Sequence, residues 1–174
     1  CGSFAGMDSW FKNPASQVSA HFGVNYDGTV HQYVGMEFAA WHAGVVNKPN
    51  MNHPRVAYWV NNGINPNKRT VGIETMLCPG QKIGDYPKMA AAFDDLLLWL
   101  LDELDLYPRS DDIIGHSDLD SVNRAVDPGC CVNLAGTIGY SKLRIEGALP
   151  PAAIQITLES LDERIRRLEE RLGQ

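Results

Sequence analysis

The longest regular pattern of apolar positions lies between Lys88 and Leu106, where Met89, Phe93, Leu96, Leu97, Leu100, Leu101 and Leu104 recur at steps of three and four. That is the buried stripe of one α-helix. Upstream the period changes. "VSAHFGVNYDGTVHQYV" (18–34) is rich in Val, Phe and Tyr on both sides of Asp27-Gly28, which predicts a β-hairpin with its turn at that pair. "TVGIETML" (70–77) predicts a short apolar strand with one acid, Glu74, at its middle. "DIIGHSD" (112–118) predicts another strand, and "SFAGMDSWFKN" (3–13) a short helix ended by Pro14. "EFAAWHAGVVNKPNMNHP" and "CPGQKIGDYP" carry the Asn, Gly and Pro of loops. Strands alternating with helices predict an α/β domain.

The pattern changes again near the C-terminus. "EGALPPAA" (146–153) reads as a Gly/Pro linker, so the expected division is a domain over 1–146, a linker over 147–153 and a separate helix over 154–174. In that tail Ile154, Leu161 and Leu168 share one heptad position, and Leu158, Ile165 and Leu172 the other. Residues 154–172 therefore predict a coiled coil that joins copies of the chain into a homo-oligomer. The alternative is an apolar stripe packed on its own domain.

Composition narrows the function. Of 174 residues, 44% are hydrophobic and 21% charged, which suits one globular domain with an appendage. The net charge of −6 argues against nucleic acid or an anionic membrane as partner, because both call for a basic face. No run approaches the roughly 18 unbroken apolar residues of a membrane span. The chain opens on "CGSFAG" without methionine or a signal-like pattern, so it reads as a fragment or a processed product, and its location stays open. Cys1, Cys78, Cys130 and Cys131 form no CxxC pair, and the neighbours Cys130 and Cys131 are poorly placed to bridge each other.

Several side chains invite chemistry, each with a bland reading beside it. In "GHSDLDSVNRAVDPG" (115–129), His116 and Asp127 are either surface polar groups or two zinc ligands that a folded-back loop brings together. Glu74 is either the solvent-facing position of a half-buried strand or a general base whose pKa an apolar wall raises. In "AWHAG" (40–44), Trp41 and His42 are either core residues or the wall of a groove for sugar or peptide. His21 and His31 read as structural, and His53 as exposed.

The order of these elements carries more than any one of them. "NPASQVSAHFGVNYDGTVHQYV", "AAWHAG", "VGIE", "IIGHSD" and "VDPG" follow one another as in the type 2 N-acetylmuramoyl-L-alanine amidases, and residues 2 to about 135 resemble that family, its phage endolysin branch above all. The family also includes the peptidoglycan recognition proteins. The resemblance implies a mixed β-sheet flanked by helices, bound Zn2+, and peptidoglycan as substrate. The bond cut would be the amide between the lactyl group of N-acetylmuramic acid and the L-alanine of the stem peptide. It implies that His116 and Asp127 are zinc ligands and that Glu74 orients or deprotonates the attacking water. Trp41 and His42 would touch substrate.

Two departures from the family pattern stand out. Many members carry a lysine two residues before the aspartate ligand, where it stabilises the oxyanion; here that position is Ala125, and Arg124 is the nearest cation. The family's first zinc histidine lies on an opening strand shortly before a Gly-Ser that matches Gly2-Ser3, so its counterpart would fall ahead of Cys1. Three expectations follow. The chain is a piece of a longer protein, or Cys1 or another histidine completes the site, or the protein binds muropeptide without metal or turnover. A catalytically inactive peptidoglycan-binding module and a structural virion component are therefore the alternatives to the hydrolase.

Overall fold

The computed structural model describes residues 3–125, 127 and 131–147. The expected coiled coil of 154–172 and most of the linker lie outside them. Among the described residues, five α-helices surround one small sheet: α1 (Phe4–Lys12), α2 (Pro54–Asn61), α3 (Pro87–Glu103), the single turn α4 (His116–Leu119) and α5 (Leu134–Ile145). No helix among them is long and apolar enough to cross a membrane.

The sheet has three strands, β1 (Phe22–Val24), β2 (Val30–Gln32) and β3 (Ile73–Thr75), in the order β2-β1-β3. β1 and β2 form the expected hairpin, with Gly23 opposite His31, and Gly28 at φ +89° supplies the turn conformation that a side chain disfavours. β1 and β3 run parallel, with Gly23 opposite Glu74, so the sheet is mixed. β1 is buried along its whole length. Phe22 and Val24 pack with Met76, Met89, Leu96 and Leu100 under the sheet. On the other face α1 lies so close that a Cβ on Gly23 would stand 2.6 Å from Met7 Sδ and 2.9 Å from the Tyr33 ring. A glycine in a central strand is weak by itself, and here it is what lets the helix dock.

α3 buries Met89, Phe93, Leu96, Leu97, Leu100 and Leu101, six of the seven stripe positions. Leu104 falls at the C-cap and is 42% exposed. Phe93, Leu97 and Leu101 meet Ile113 and Val132 in a second cluster. A third, of Ala43, Val56, Trp59 and Leu119, secures α2 and α4.

Two sequence expectations fail here. "DIIGHSD" is not a strand. The Asp118 carboxylate accepts a hydrogen bond from Gly115 N at 2.8 Å, and Asp120 N donates to His116 O at 2.8 Å, so the chain turns into α4 at His116. His53 is not exposed. It is half-buried ahead of Pro54, and its Nε2 meets Ser110 O at 3.1 Å.

α3 also carries a group that folding penalises. Burial against α5, with Asp95 adjacent, lifts the Asp94 carboxyl from 3.8 to about 6, and Arg144 on α5 opposes this only in part. A carboxyl with a raised folded pKa holds its proton longer in the native state than in the unfolded one. Stability is therefore greatest below the unfolded value and falls as pH rises through about 6. Asp94→Asn is expected to raise stability at pH 7.5 by about 1–2 kcal/mol and to change little at pH 4. Thermal melts at the two pH values check this, and equal effects at both would refute it.

Candidate active site

Three stretches far apart in sequence converge at the open edge of the sheet: the loop after Ala40, the β3 segment, and the turn from His116 to Asp127. A cleft of about 650 Å³ runs between them, lined among others by His42, Thr70, Glu74, His116 and Asp127.

His116 opens α4 and points both ring nitrogens at oxygens. Nδ1 is 2.8 Å from Asp127 Oδ2, and Nε2 is 2.7 Å from His42 O. A neutral imidazole has one N–H. The carbonyl can only accept, so it fixes that hydrogen on Nε2. A lone pair on Nδ1 would then face a carboxylate lone pair, and a positive centre must sit between them. A proton is one answer: the Asp127 hydrogen bond raises the His116 pKa, and His116 in turn lowers that of Asp127. A metal ion is the other. Imidazole nitrogen and carboxylate oxygen are zinc donors, and a ligating histidine ordinarily gives its other N–H to a carbonyl or carboxylate. The two donors thus fit one side of a zinc site. Among the described residues no group of three histidine, cysteine or acidic side chains is placed to hold a metal ion.

The loop that carries Asp127 folds back by backbone bonds: Arg124 N donates to Asp120 O at 3.0 Å, Asp127 N to Arg124 O at 2.9 Å, and Ser117 N to Asp127 O at 2.6 Å. Below it the buried Asp120 carboxylate accepts from the backbone of Asn47, Lys48, Val122 and Asn123 and from the Asn123 amide, which together hold its pKa far below the usual carboxylate range.

Glu74 enters from β3. Burial pushes its carboxyl pKa up; His116 and Arg124 pull it down, and Asp127 adds to the rise. β3 is half-buried along its length.

His42 is more constrained than a groove wall requires. Its Nδ1 is 3.1 Å from Ala40 O and its Nε2 2.7 Å from Thr70 Oγ1. Burial, together with the nearby imidazoles of His21 and His116, lowers its pKa to about 4, so it is neutral at pH 7. Its ring lies on Gly72, where a Cβ would collide with Cγ and Cδ2. Gly72→Ala is expected to cost about 1–3 kcal/mol by overpacking and to tilt His42. A melting temperature equal to wild type would contradict that close packing.

Trp41, the neighbour, turns the other way. It is 52% exposed and lines a second groove of about 550 Å³ with Val45, Trp59 and Val60. Arg124 stands at the rim, with Nη1 4.0 Å from Asp127 Oδ2, and is exposed. Cys131, the described member of the two cysteines next to Asp127, is disulfide-bonded, as is Cys78, so neither offers a thiolate to a metal. Sequence reasoning missed Asn67 and Thr70, and it missed the His42 carbonyl altogether. The run "NPNKRT" offers only turn-forming residues, and a backbone role leaves no mark on residue type.

A family model described as N-acetylmuramoyl-L-alanine amidase matches residues 1–130. N-acetylmuramoyl-L-alanine amidase A of Achromobacter lyticus is 51% identical over 43 residues, which are 24% of this chain and 24% of that protein. The chain thus matches about a quarter of the length of that curated relative. No solved structure matches.

Proposed function

Since this chain belongs to the N-acetylmuramoyl-L-alanine amidase family, we propose that it hydrolyses peptidoglycan at the amide between N-acetylmuramic acid and the stem L-alanine, with zinc held in part by His116 and Asp127. The observation that supports the reading is the approach of His116 Nδ1 to Asp127 Oδ2 at 2.8 Å, two donor types that zinc takes, with Glu74 within electrostatic reach of both.

Zinc bound there supplies Lewis acidity to the scissile carbonyl and to the attacking water. The chain's own residues do the rest. The Glu74 carboxylate takes a proton from water as the oxygen attacks the lactyl carbonyl carbon. The same proton passes to the alanine nitrogen as the C–N bond breaks, so the products are a carboxylic acid, which then ionises to solvent, and a free amine. The raised pKa of Glu74 makes it a stronger base toward water than an exposed carboxylate. The His42 carbonyl fixes the His116 ring. Arg124, the cation nearest the position of the family's lysine, which here is Ala125, is our candidate for stabilising the oxyanion. Trp41 offers a flat apolar face to a sugar ring in the adjoining groove. An endolysin role is part of the same proposal.

The test is purified protein incubated with muropeptides, with metal analysis alongside. Zinc bound in proportion to protein, together with release of free N-terminal L-alanine, supports the reading. Binding of peptidoglycan without metal and without release favours a non-catalytic module on the same fold.

A further inference from the structure

We infer that Asn67 is a positioning residue for the metal ligand His116, acting through the peptide plane between His42 and Ala43. This rests on the zinc reading above. Asn67 is 1% exposed and sits in the 3-10 turn Pro66–Lys68. Its Oδ1 accepts from Ala43 N at 2.8 Å, and its Nδ2 donates to Gly44 O at 3.1 Å. The amide is itself held: Nδ2 also reaches Asn65 Oδ1 at 3.1 Å, and the Asn67 backbone N donates to that same oxygen at 3.0 Å.

The Ala43 N–H and the His42 C=O belong to one peptide group, whose atoms lie in a plane. One end of that plane is bound by Asn67 and the other by His116 Nε2 at 2.7 Å. Turning the plane therefore turns the acceptor away from the imidazole. The series Asn67 Oδ1, Ala43 N–H, His42 C=O, His116 N–H is also a chain in which each bond polarises the next. The His42 ring is held by Thr70 and the Ala43 methyl packs in the third cluster, whereas Asn67 binds the backbone of residues 43 and 44. The loop carries no ladder pairing, and Gly44 adopts φ +62°, where it relies on outside partners to stay in place. Outer partners of a metal-bound histidine typically change metal affinity by about 10–100-fold when removed.

The test compares three full-length proteins: wild type, Asn67→Ala, and Val24→Ala as a control that weakens the buried β1 core away from the cleft. Zinc affinity is measured by competition with a chelating dye, and the visible spectrum of the cobalt-loaded protein reports ligand geometry. Asn67→Ala is expected to bind zinc about 10–100-fold more weakly and to shift the cobalt bands, while Val24→Ala lowers the melting temperature and leaves both unchanged. If Asn67→Ala does not fold, Asn67→Ser is read in its place, because its shorter side chain cannot bridge both loop atoms. Unchanged zinc affinity at residue 67, or an equal loss in Val24→Ala, overturns the inference. A wild-type protein that takes up no zinc overturns the zinc reading itself.

Discussion

Glu74→Gln is expected to keep its fold and its zinc and to lose turnover by about 10²- to 10⁴-fold, the usual worth of a positioned general base. The glutamine has the same shape and fits the same space in β3, but it has no basic oxygen to take a proton from water. KM should change little, because the side chain acts on the reacting water more than on the bound stem. Stability should not fall, since the burial that raises the Glu74 pKa penalises a carboxylate and not an amide. Kinetics on a defined muropeptide, metal analysis and a thermal melt are read together. Activity above about a tenth of wild type would remove Glu74 from the base role.

His116→Ala is expected to fail in the opposite order, with metal lost first and activity as a consequence. Affinity for zinc depends on the number and geometry of ligands, and His116 is one of the two donors that the described chain brings together. The substitution also leaves the His42 carbonyl and the Asp127 carboxylate without their shared partner, at a cost of about 1–3 kcal/mol. Metal content near zero with a folded protein fits this assignment, and Asp127→Ala should behave in the same way. Full zinc retention by His116→Ala would show that the metal sits elsewhere. Cys131 is not the substitute donor, because its sulfur is already in a disulfide.

The contrast between pattern and structure has physical causes that can be named. The stripe on α3 was legible because one helix face carries nearly all of the apolar burial there, and β1–β2 because Asp27-Gly28 imposes a turn. The acid of β3 was legible because a charge amid Val71, Ile73 and Met76 has few bland explanations. α2 and α5 were not found. α2 buries only Val56 and Trp59, too few for a period, and α5 holds Gly136, Thr137 and Gly139, which are poor helix formers, after an Asn133 cap that bonds Gly136 N. "DIIGH" looks like a strand because it is β-branched, but Asp118 captures the Gly115 N–H and starts a helix. The sequence reads His42 and Trp41 as one wall. Successive side chains diverge in an extended loop, and these two serve separate cavities. The resemblance points to His116 and Asp127; that their side chains meet, and that the His42 carbonyl binds the far side of the ring, no residue type reveals.

The loop after Ala40 is tied to the rest of the protein chiefly by hydrogen bonds to Asn67, Thr70 and Asp120, with Ala43 buried in the third cluster, whereas α3 and β1 share a continuous apolar core. Such a molecule does not lose order uniformly. Segments with little apolar burial open at a smaller free energy than the segments that define global unfolding. Amide hydrogens at residues 43–44 should then exchange sooner than those of α3, and in rising denaturant the constellation around His116 would come apart while the helix signal is still intact. An assay of residual activity and a circular dichroism trace would report two different midpoints, and the lower one would belong to the loop.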